Sequence, residues 1–391
     1  MTPLRIGFNA RCLEEPHTRG LSRYAACLLR ELSRSPDLEL VLFAMNAPHA
    51  DHLRNIRARV VLFAGRESVW QDKLLPASLR KERIDLFHAP ADRGLPFPKP
   101  CPFVVTVHDS YERAHWRELF PTLKQRAWYW KNETANRFRA DAVLTVSDTT
   151  RRDLIALGVA PERRVRRIHL AASEEFRPEP APGDAEIVAR RGVREPYLLY
   201  VGGYDRRKNV DALVQAFDRA RLREYELVIV ASRDGAYRAL AARWQALECH
   251  QRLRCLEVPV AELPAFYRRA DLFINPSVWE SFSFQIVEAM SSGTPLLASD
   301  RQAIPEIAGG AAELVDASSV EGLAARMSAL LANGARRLEL RRMGLARAAC
   351  FSWRQTAEAT LQVYREALRI VGRGDAGKIG PTPGGLTESA S

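Results

Sequence analysis

Apolar residues along this chain fall in short runs, separated by stretches with a helical period. Arg5-Ile6-Gly7-Phe8-Asn9, Leu40 to Phe43, Val60 to Phe63, Leu86-Phe87-His88, Phe103 to Val107 and Asp141 to Val146 have the length and apolar density of strands. Between them lie segments with i, i+3/i+4 spacing. Leu21, Tyr24, Ala25, Leu28, Leu29 and Leu32 mark one after Gly20, 70–82 is a second, and Thr149 to Leu157, capped by Ser147 and ended by Gly158, is a third. The polar stretch Arg177-Pro178-Glu179-Pro180-Ala181-Pro182-Gly183-Asp184 interrupts the alternation. It then restarts, with strands at 197–201, 226–231, 253–257, 272–274, 296–298 and 312–315. Helices are expected at 210–220, 236–248, 262–269, from Ser283 onward, and at 319–332, 335–348 and 353–369. The pattern predicts an α/β protein of two Rossmann-like, doubly wound parallel-sheet domains facing a cleft. The expected divisions are an N-terminal domain over 1–178, a linker over 179–195 and a C-terminal domain over 196–352. A last helix over 353–371 and a disordered tail over 372–391, rich in Gly, Pro, Ser and Thr, complete the chain.

Candidate chemistry concentrates on one strand–loop–helix–strand unit, from Asp271 through Glu288 to Gly293-Thr294-Pro295. In such sheets ligands bind at the carboxyl ends of the strands, here the loop around Trp279 to Ser283. Glu280 and Glu288 flank the start of the helix, roughly 12 Å apart if the helix were continuous. Ionised carboxylates only accept hydrogen bonds, so each suits a pair of sugar hydroxyls. Between them Ser281, Phe282 and Ser283 lead into a helix N-terminus whose free amides favour an anion such as a diphosphate. A sugar, a diphosphate and a ribose in line would satisfy all three features; an exposed helix with two solvated glutamates would show the same spacing.

The run Gly202-Gly203-Tyr204-Asp205-Arg206-Arg207-Lys208-Asn209 follows a strand and precedes a helix. Its glycines would let a phosphate approach the backbone, and Lys208 with Arg207 would meet the charge growing on a leaving diphosphate. A basic surface turn is the plainer alternative. His108-Asp109 closes another strand and points toward the cleft.

Together these stretches resemble family 4 retaining glycosyltransferases, which have the GT-B fold. The likeness rests on "NPSVWESFSFQIVEAMSSGTPLLASD", "AIPEIAGGAAELVDA", "RADLFINPS", "YLLYVGGYDRRKN", "IGFNARCLEEPHTRGLSRYAACLLREL", "FVVTVHDS" and "DAVLTVSDTTRRDLIALGV", in order over residues 4 to 368. It implies a nucleoside-diphosphate sugar donor with Glu288 at the ribose, Glu280 at the sugar and Lys208 at the diphosphate. Gly20 would belong to an N-terminal phosphate loop in which Ser22 replaces the usual second glycine. His108 would lie beside the donor sugar as a positioning group, giving His108, Lys208 and Glu280 as the catalytic set. Retention would follow from front-face attack, with the departing phosphate taking the acceptor's proton. The last helix would cross back onto the first domain. A hexose, mannosyl-like, would pass to a glycan or lipid-linked acceptor in surface polysaccharide, lipopolysaccharide-type biosynthesis. No D-x-D motif ends a strand, so no metal cofactor is expected. The chain departs from the family where many members carry Arg in place of Gly203, and where His169-Leu170-Ala171-Ala172-Ser173 replaces a Pro-x-Gly. Other GT-B activities, a sugar phosphorylase or nucleotide-sugar epimerase, are the enzyme alternatives.

The length of 391 residues fits two domains, and the 47% hydrophobic and 27% charged content is ordinary for a globular protein. Six cysteines without CxxC or zinc spacing predict reduced thiols and a cytoplasmic setting. No stretch resembles a signal peptide or reaches the ~20 apolar residues of a membrane span. A net charge of +11 suits an anionic partner, though Arg-rich genomic bias gives the same excess. A nucleic-acid-binding protein is the rival class, but no helix-turn-helix, RNP or zinc signature supports it. From Arg113 to Arg139 basic residues interleave with Trp116, Phe120, Trp128, Tyr129, Trp130 and Phe138. That is the make-up of an interfacial helix on anionic lipid, which would place the protein peripherally at the inner face of the plasma membrane; aromatic packing under a solvated basic face is the other reading.

Overall fold

The structure is a computed structural model that describes residues 3–15, 20–64, 69–233 and 235–376, with side chains to Ile370. The described residues form two all-parallel sheets. The first has the order β3-β2-β1-β4-β5-β6-β7. Its strands are β1 (Leu4–Asn9), β2 (Leu38–Ala44), β3 (Arg59–Leu62), β4 (Leu86–Ala89), β5 (Phe103–Val107), β6 (Ala142–Thr145) and β7 (Val165–Arg167). The second has the order β10-β9-β8-β11-β12-β13. It is built of β8 (Tyr197–Val201), β9 (Glu226–Val230), β10 (Leu253–Leu256), β11 (Leu272–Asn275), β12 (Leu296–Ser299) and β13 (Glu313–Val315).

Every strand expected from the apolar runs is present within a residue or two. The central ones are buried along their whole length, as strands covered by helices on both faces must be. β7 had no such signal. It is a three-residue edge strand whose Arg166 and Arg167 are exposed, held by pairing with β6. Charged residues on an edge also discourage pairing with another chain.

The segment expected to be a plain linker contains the helix Asp184–Arg190. Its polar look hid three anchors. Val188 and Val193 are buried, and the buried Asp184 carboxylate accepts from Arg268 Nε and Nη2, both at 2.7 Å. Side-chain hydrogen bonding to Arg268 holds the Asp184 carboxyl below its ordinary range. The last helix, Trp353–Ala376, runs five residues into the expected tail, and the remainder of that tail lies outside the described residues. This helix packs against the helix Gly20–Leu32 of the first domain. Tyr364, fully buried, meets His88 Nδ1 at 2.6 Å, and His88 Nε2 meets Thr106 Oγ1 at 2.8 Å.

In each sheet the strand order reverses once, between β1 and β4 and between β8 and β11. In open parallel sheets ligand crevices form where the strand order reverses, at the carboxyl ends of the strands. The loops after β8 and β11 therefore face the loops after β1, β4 and β5 across the cleft. Among the described residues no helix is long and apolar enough to cross a membrane.

Candidate active site

Two loops build the C-terminal wall. The Val278 N–H donates to the Arg207 carbonyl at 2.8 Å, tying the loop after β11 to the loop after β8. Asn209, in the left-handed region at φ +54, donates from Nδ2 to the carbonyls of Ala317 at 2.7 Å and Pro276 at 3.2 Å. The tied loops bring Lys208 Nζ to 2.6 Å from Glu280 Oε1, which also accepts from Ser277 Oγ at 2.9 Å. Arg207 Nη1 stands 4.0 Å from Glu280 Oε2. Glu280 is only 6% exposed, so it is a buried carboxylate held by a lysine, a hydroxyl and a nearby guanidinium. Charge-assisted contacts of this kind are what make such burial tolerable. The sequence pointed to Glu280, Lys208 and Arg207, and the structure brings them together. It gave no reason to single out Ser277 or Asn209, although Asn209 closes the quoted basic run and Ser277 follows Asn275-Pro276.

The first glycine of the pair, Gly202, has a local cause. A Cβ on Gly202 would come within 2.5 Å of the Tyr200 hydroxyl, which donates to the Gly203 carbonyl at 2.7 Å. A side chain at 202 is thus excluded by the chain itself, with no ligand needed to explain it. Past Glu280, Ser281 Oγ donates to Asp109 Oδ1 at 2.9 Å. Phe282 is buried against Phe284 and Phe351, so only its backbone is available to a ligand. Ser283 sits at φ +66 immediately before the helix Phe284–Ser291, and its Oγ accepts from Asn275 Nδ2 at 2.9 Å. Positive φ on a residue with a side chain stores strain, and such residues cluster at ligand sites.

The N-terminal wall is assembled from distant residues. His108 lies just beyond β5, packed edge-on to Tyr24 with ring centroids 4.6 Å apart. Its Nε2–H donates to the Pro90 carbonyl at 2.8 Å, which leaves Nδ1 as the acceptor nitrogen. Burial pushes the His108 imidazole below its usual pKa, so it is neutral near pH 7. Asp109, which the sequence gave no separate role, crosses the cleft. Its Oδ1 accepts from Trp279 Nε1 at 3.1 Å as well as from Ser281. Gly20 opens its helix with Phe284 of the other domain as the nearest neighbour, 3.8 Å from where a Cβ would stand. Arg19, the first residue of the expected phosphate loop, lies outside the described residues.

Glu288 is the residue whose surroundings differ most from the sequence picture. It is 1% exposed, and both oxygens have partners. Oε1 pairs with Arg23 from the N-terminal domain, and Oε2 accepts from the Tyr267 hydroxyl at 2.9 Å. A ribose reaching this carboxylate would have to share it with Arg23 and Tyr267 or displace one of them.

The basic-aromatic segment also divides. Arg113 is buried and grips Glu133 through Nε at 3.0 Å and Nη2 at 2.7 Å, and Tyr129 is buried beside it. Along the helix Leu123–Arg139, however, Trp128, Trp130 and Phe138 stand exposed at 44%, 50% and 67%.

Two family models match the chain in tandem, Glycosyltransferase Family 4 over residues 18–176 and Glycosyl transferases group 1 over 195–333. The chain belongs to this glycosyltransferase family. Its two parallel-sheet domains are the GT-B fold. The O-antigen chain mannosyltransferase B of Escherichia coli is 27% identical over 390 residues, covering 93% of this chain and 100% of that one. The MMP alpha-(1->4)-mannosyltransferase of Mycolicibacterium hassiacum is 30% identical over 296 residues, 69% of this chain and 66% of that one. In structure, the Anabaena protein Alr3699/HepE in complex with UDP-glucose superposes with a TM-score of 0.76 at 16% identity, over 93% of this chain and 100% of that one.

Proposed function

We propose that this glycosyltransferase moves a mannosyl-type hexose, with retention, from a nucleoside-diphosphate sugar to a glycan or lipid-linked acceptor of a surface polysaccharide. The observation that carries the reading is the cluster of Lys208 and Arg207 on the buried Glu280 at the β8/β11 crevice. Two cations beside one carboxylate, next to a helix N-terminus, suit a ligand with a diphosphate at one point and hydroxyls at the next. On binding, the diphosphate would take Lys208 and Arg207 while Glu280 turns to the sugar hydroxyls. Leaving-group charge then falls on groups already oriented for it, which lowers the barrier without reorganisation. His108, neutral and with Nδ1 as acceptor, would position a donor-sugar hydroxyl. Since Lys208, Arg207 and helix amides meet the phosphate charge, no metal ion is assigned a role. The choice of mannose is supported by the O-antigen mannosyltransferase of E. coli, whose whole length this chain matches. The exposed rings and basic residues of Leu123–Arg139 would set the acceptor side against anionic lipid at the cytoplasmic face.

The test is a thermal-shift screen of GDP-, UDP-, ADP- and TDP-sugars, followed by transfer from the stabilising donor to oligomannosides in excess EDTA. Binding to the folded state raises the apparent unfolding temperature by mass action. GDP-mannose is expected to stabilise and to yield an α-linked product. A β-linked product from the α-donor would overturn retention, and activity abolished by EDTA and restored by manganese would overturn the metal-free scheme. Binding to phosphatidylglycerol vesicles at low salt, weakened by Trp128→Ala with Lys131→Glu, checks the membrane placement.

A further inference from the structure

The cleft carries a group of rings to which the proposed donor chemistry gives no role. Tyr111 and His115 stack with centroids 4.2 Å apart and 28° between planes. Trp279, from the opposite domain, meets each of them edge-on, both at 5.4 Å. All three are half-buried. The indole is pinned, since its Nε1–H donates to Asp109 Oδ1 at 3.1 Å and that oxygen also accepts the Tyr111 N–H at 2.8 Å. Arg207 stands over the Tyr111 ring, 5.9 Å from its centroid. Its Nη1 is 4.0 Å from Asp109 Oδ2 and 4.0 Å from Glu280 Oε2. The rings therefore begin one guanidinium away from the carboxylate assigned to the donor sugar.

We propose that Tyr111, His115 and Trp279 form a subsite for a pyranose ring of the acceptor, with Asp109 Oδ2 accepting one of its hydroxyls. A pyranose presents a face of C–H groups bounded by hydroxyls. Aromatic faces and edges attract those C–H groups, and a carboxylate accepts from the hydroxyl at the rim. An acyl chain would want a continuous apolar groove without the Asp109 and Arg207 charges. An acceptor phosphate would want unshared cations, whereas Arg207 is shared among Asp205, Asp109 and Glu280. Because Trp279 comes from one domain and the other two rings from its partner, the subsite is complete only when the cleft is closed. The acceptor ring is then brought against the donor sugar by the same movement that excludes water from both.

This inference rests on the glycosyltransferase reading, so binding is measured apart from turnover. Saturation-transfer NMR would use α-mannobiose and the methyl glycosides of mannose, glucose, galactose and N-acetylglucosamine, with wild type and the Tyr111→Leu, Trp279→Leu and Trp279→Phe variants. At least one glycoside should receive saturation on the C–H groups of a single ring face. The signal should fall at least fivefold in both leucine variants and persist in Trp279→Phe. In transfer assays the same leucine changes should raise the acceptor KM tenfold or more. Calorimetric affinity for the free nucleoside diphosphate should stay within twofold. No saturation in wild type, or equal signals in wild type and folded Tyr111→Leu, would overturn the subsite. So would a matching loss of nucleotide affinity, because the rings would then shape the donor pocket. If wild type binds the glycosides through these rings but turns over no nucleotide sugar, the proposed reaction fails and the subsite stands.

Discussion

The two carboxylates before and within the helix Phe284–Ser291 are held in opposite ways. Glu280 is held mainly by its own domain, through Lys208 and Ser277 on loops that meet it from the same sheet. Glu288 is held from across the cleft, by Arg23 on the first helix of the other domain, with Tyr267 as its local partner. Opening the cleft would leave the first arrangement intact and break the second. The sugar end of the proposed donor site is thus preorganised whatever the two domains do, while the other end senses whether they are together. Such a buried cross-domain pair contributes little net stability against an apolar packing alternative, but losing one partner strands the other charge.

The largest effect expected is at Lys208. Lys208→Ala removes the cation to which the proposed mechanism gives the extra charge that develops on the diphosphate as the glycosidic bond breaks. Turnover should fall about 10²–10³-fold, the usual loss when one preorganised electrostatic donor is removed. Affinity for the free nucleoside should scarcely change, which steady-state kinetics and calorimetry would separate. Equal losses in both would mean that Lys208 binds ground state and transition state alike.

The comparison itself is sharpened by the pair Glu280→Gln and Glu288→Gln. Neutralising Glu280 releases Lys208 and Arg207 toward a diphosphate, so nucleoside-diphosphate affinity should hold or rise while turnover and sugar discrimination suffer. Neutralising Glu288 should weaken the bare nucleotide about tenfold to a hundredfold, the value of a charge-assisted hydrogen bond of roughly 1.5–3 kcal/mol. It should also destabilise the fold by about 3–5 kcal/mol, since Arg23 is left buried and unpaired. Thermal unfolding run beside calorimetry distinguishes the two effects. If Glu280→Gln weakened the bare nucleotide as much as Glu288→Gln, the sugar–diphosphate–ribose order along the helix would be wrong.

The same contrast explains what could be read in the sequence. Residues of the C-terminal wall lie in two contiguous stretches, 202–209 and 275–283, so local chemistry together with the family resemblance could single out Glu280, Lys208 and Arg207. The strands were legible because parallel strands covered on both faces are continuous apolar runs. The N-terminal wall combines Gly20, Arg23, His108 and Asp109 from separate loops, and only the fold brings Arg23 to Glu288 or Asp109 to Trp279. The helix Asp184–Arg190 was hidden for a related reason. Its anchors are an ion pair to Arg268 and two isolated valines, which leave no periodic trace among prolines and charges. Gly202 does not separate two readings, since a phosphate loop and the Tyr200 hydroxyl folded back on its own strand demand the same residue.

A smaller, pH-dependent effect belongs to the first domain and the last helix packed on it. His88 is wholly buried between Tyr364 and Thr106, beneath the last helix, and burial pushes its pKa down to about 3. The unfolded chain would take a proton near the ordinary value of about 6.5. Since the folded pKa is the lower one, the unfolded state binds the proton first. Stability is therefore full above about pH 6.5 and declines as pH falls toward 3, by at most about 1.4 kcal/mol per pH unit from this group. Denaturant unfolding of wild type and His88→Gln between pH 7 and 5 checks it. The variant should start less stable but lose less, by about 2 kcal/mol at pH 5. Parallel curves would show that the acid sensitivity lies elsewhere.

The smallest effect tests whether the self-sufficiency of the C-terminal wall costs backbone strain. Ser283 holds φ +66 at the mouth of the donor helix, and its hydroxyl accepts from the buried Asn275. Ser283→Gly would relieve a left-handed conformation worth roughly 1–2 kcal/mol but forfeit a hydrogen bond of about 1 kcal/mol. The two nearly cancel, so its unfolding free energy should stay within about 1 kcal/mol of wild type. Ser283→Ala keeps the strain and loses the bond, which should place it about 1–2 kcal/mol below the glycine variant. Turnover should fall a few-fold in Ser283→Gly, because the N–H groups from Ser281 to Phe284, which the proposed site aims at a phosphate, lose that restraint. If alanine proved as stable as glycine, the left-handed serine would carry no strain. The wall would then owe its shape to the Lys208–Glu280–Ser277 contacts and the Asn209 bridges alone.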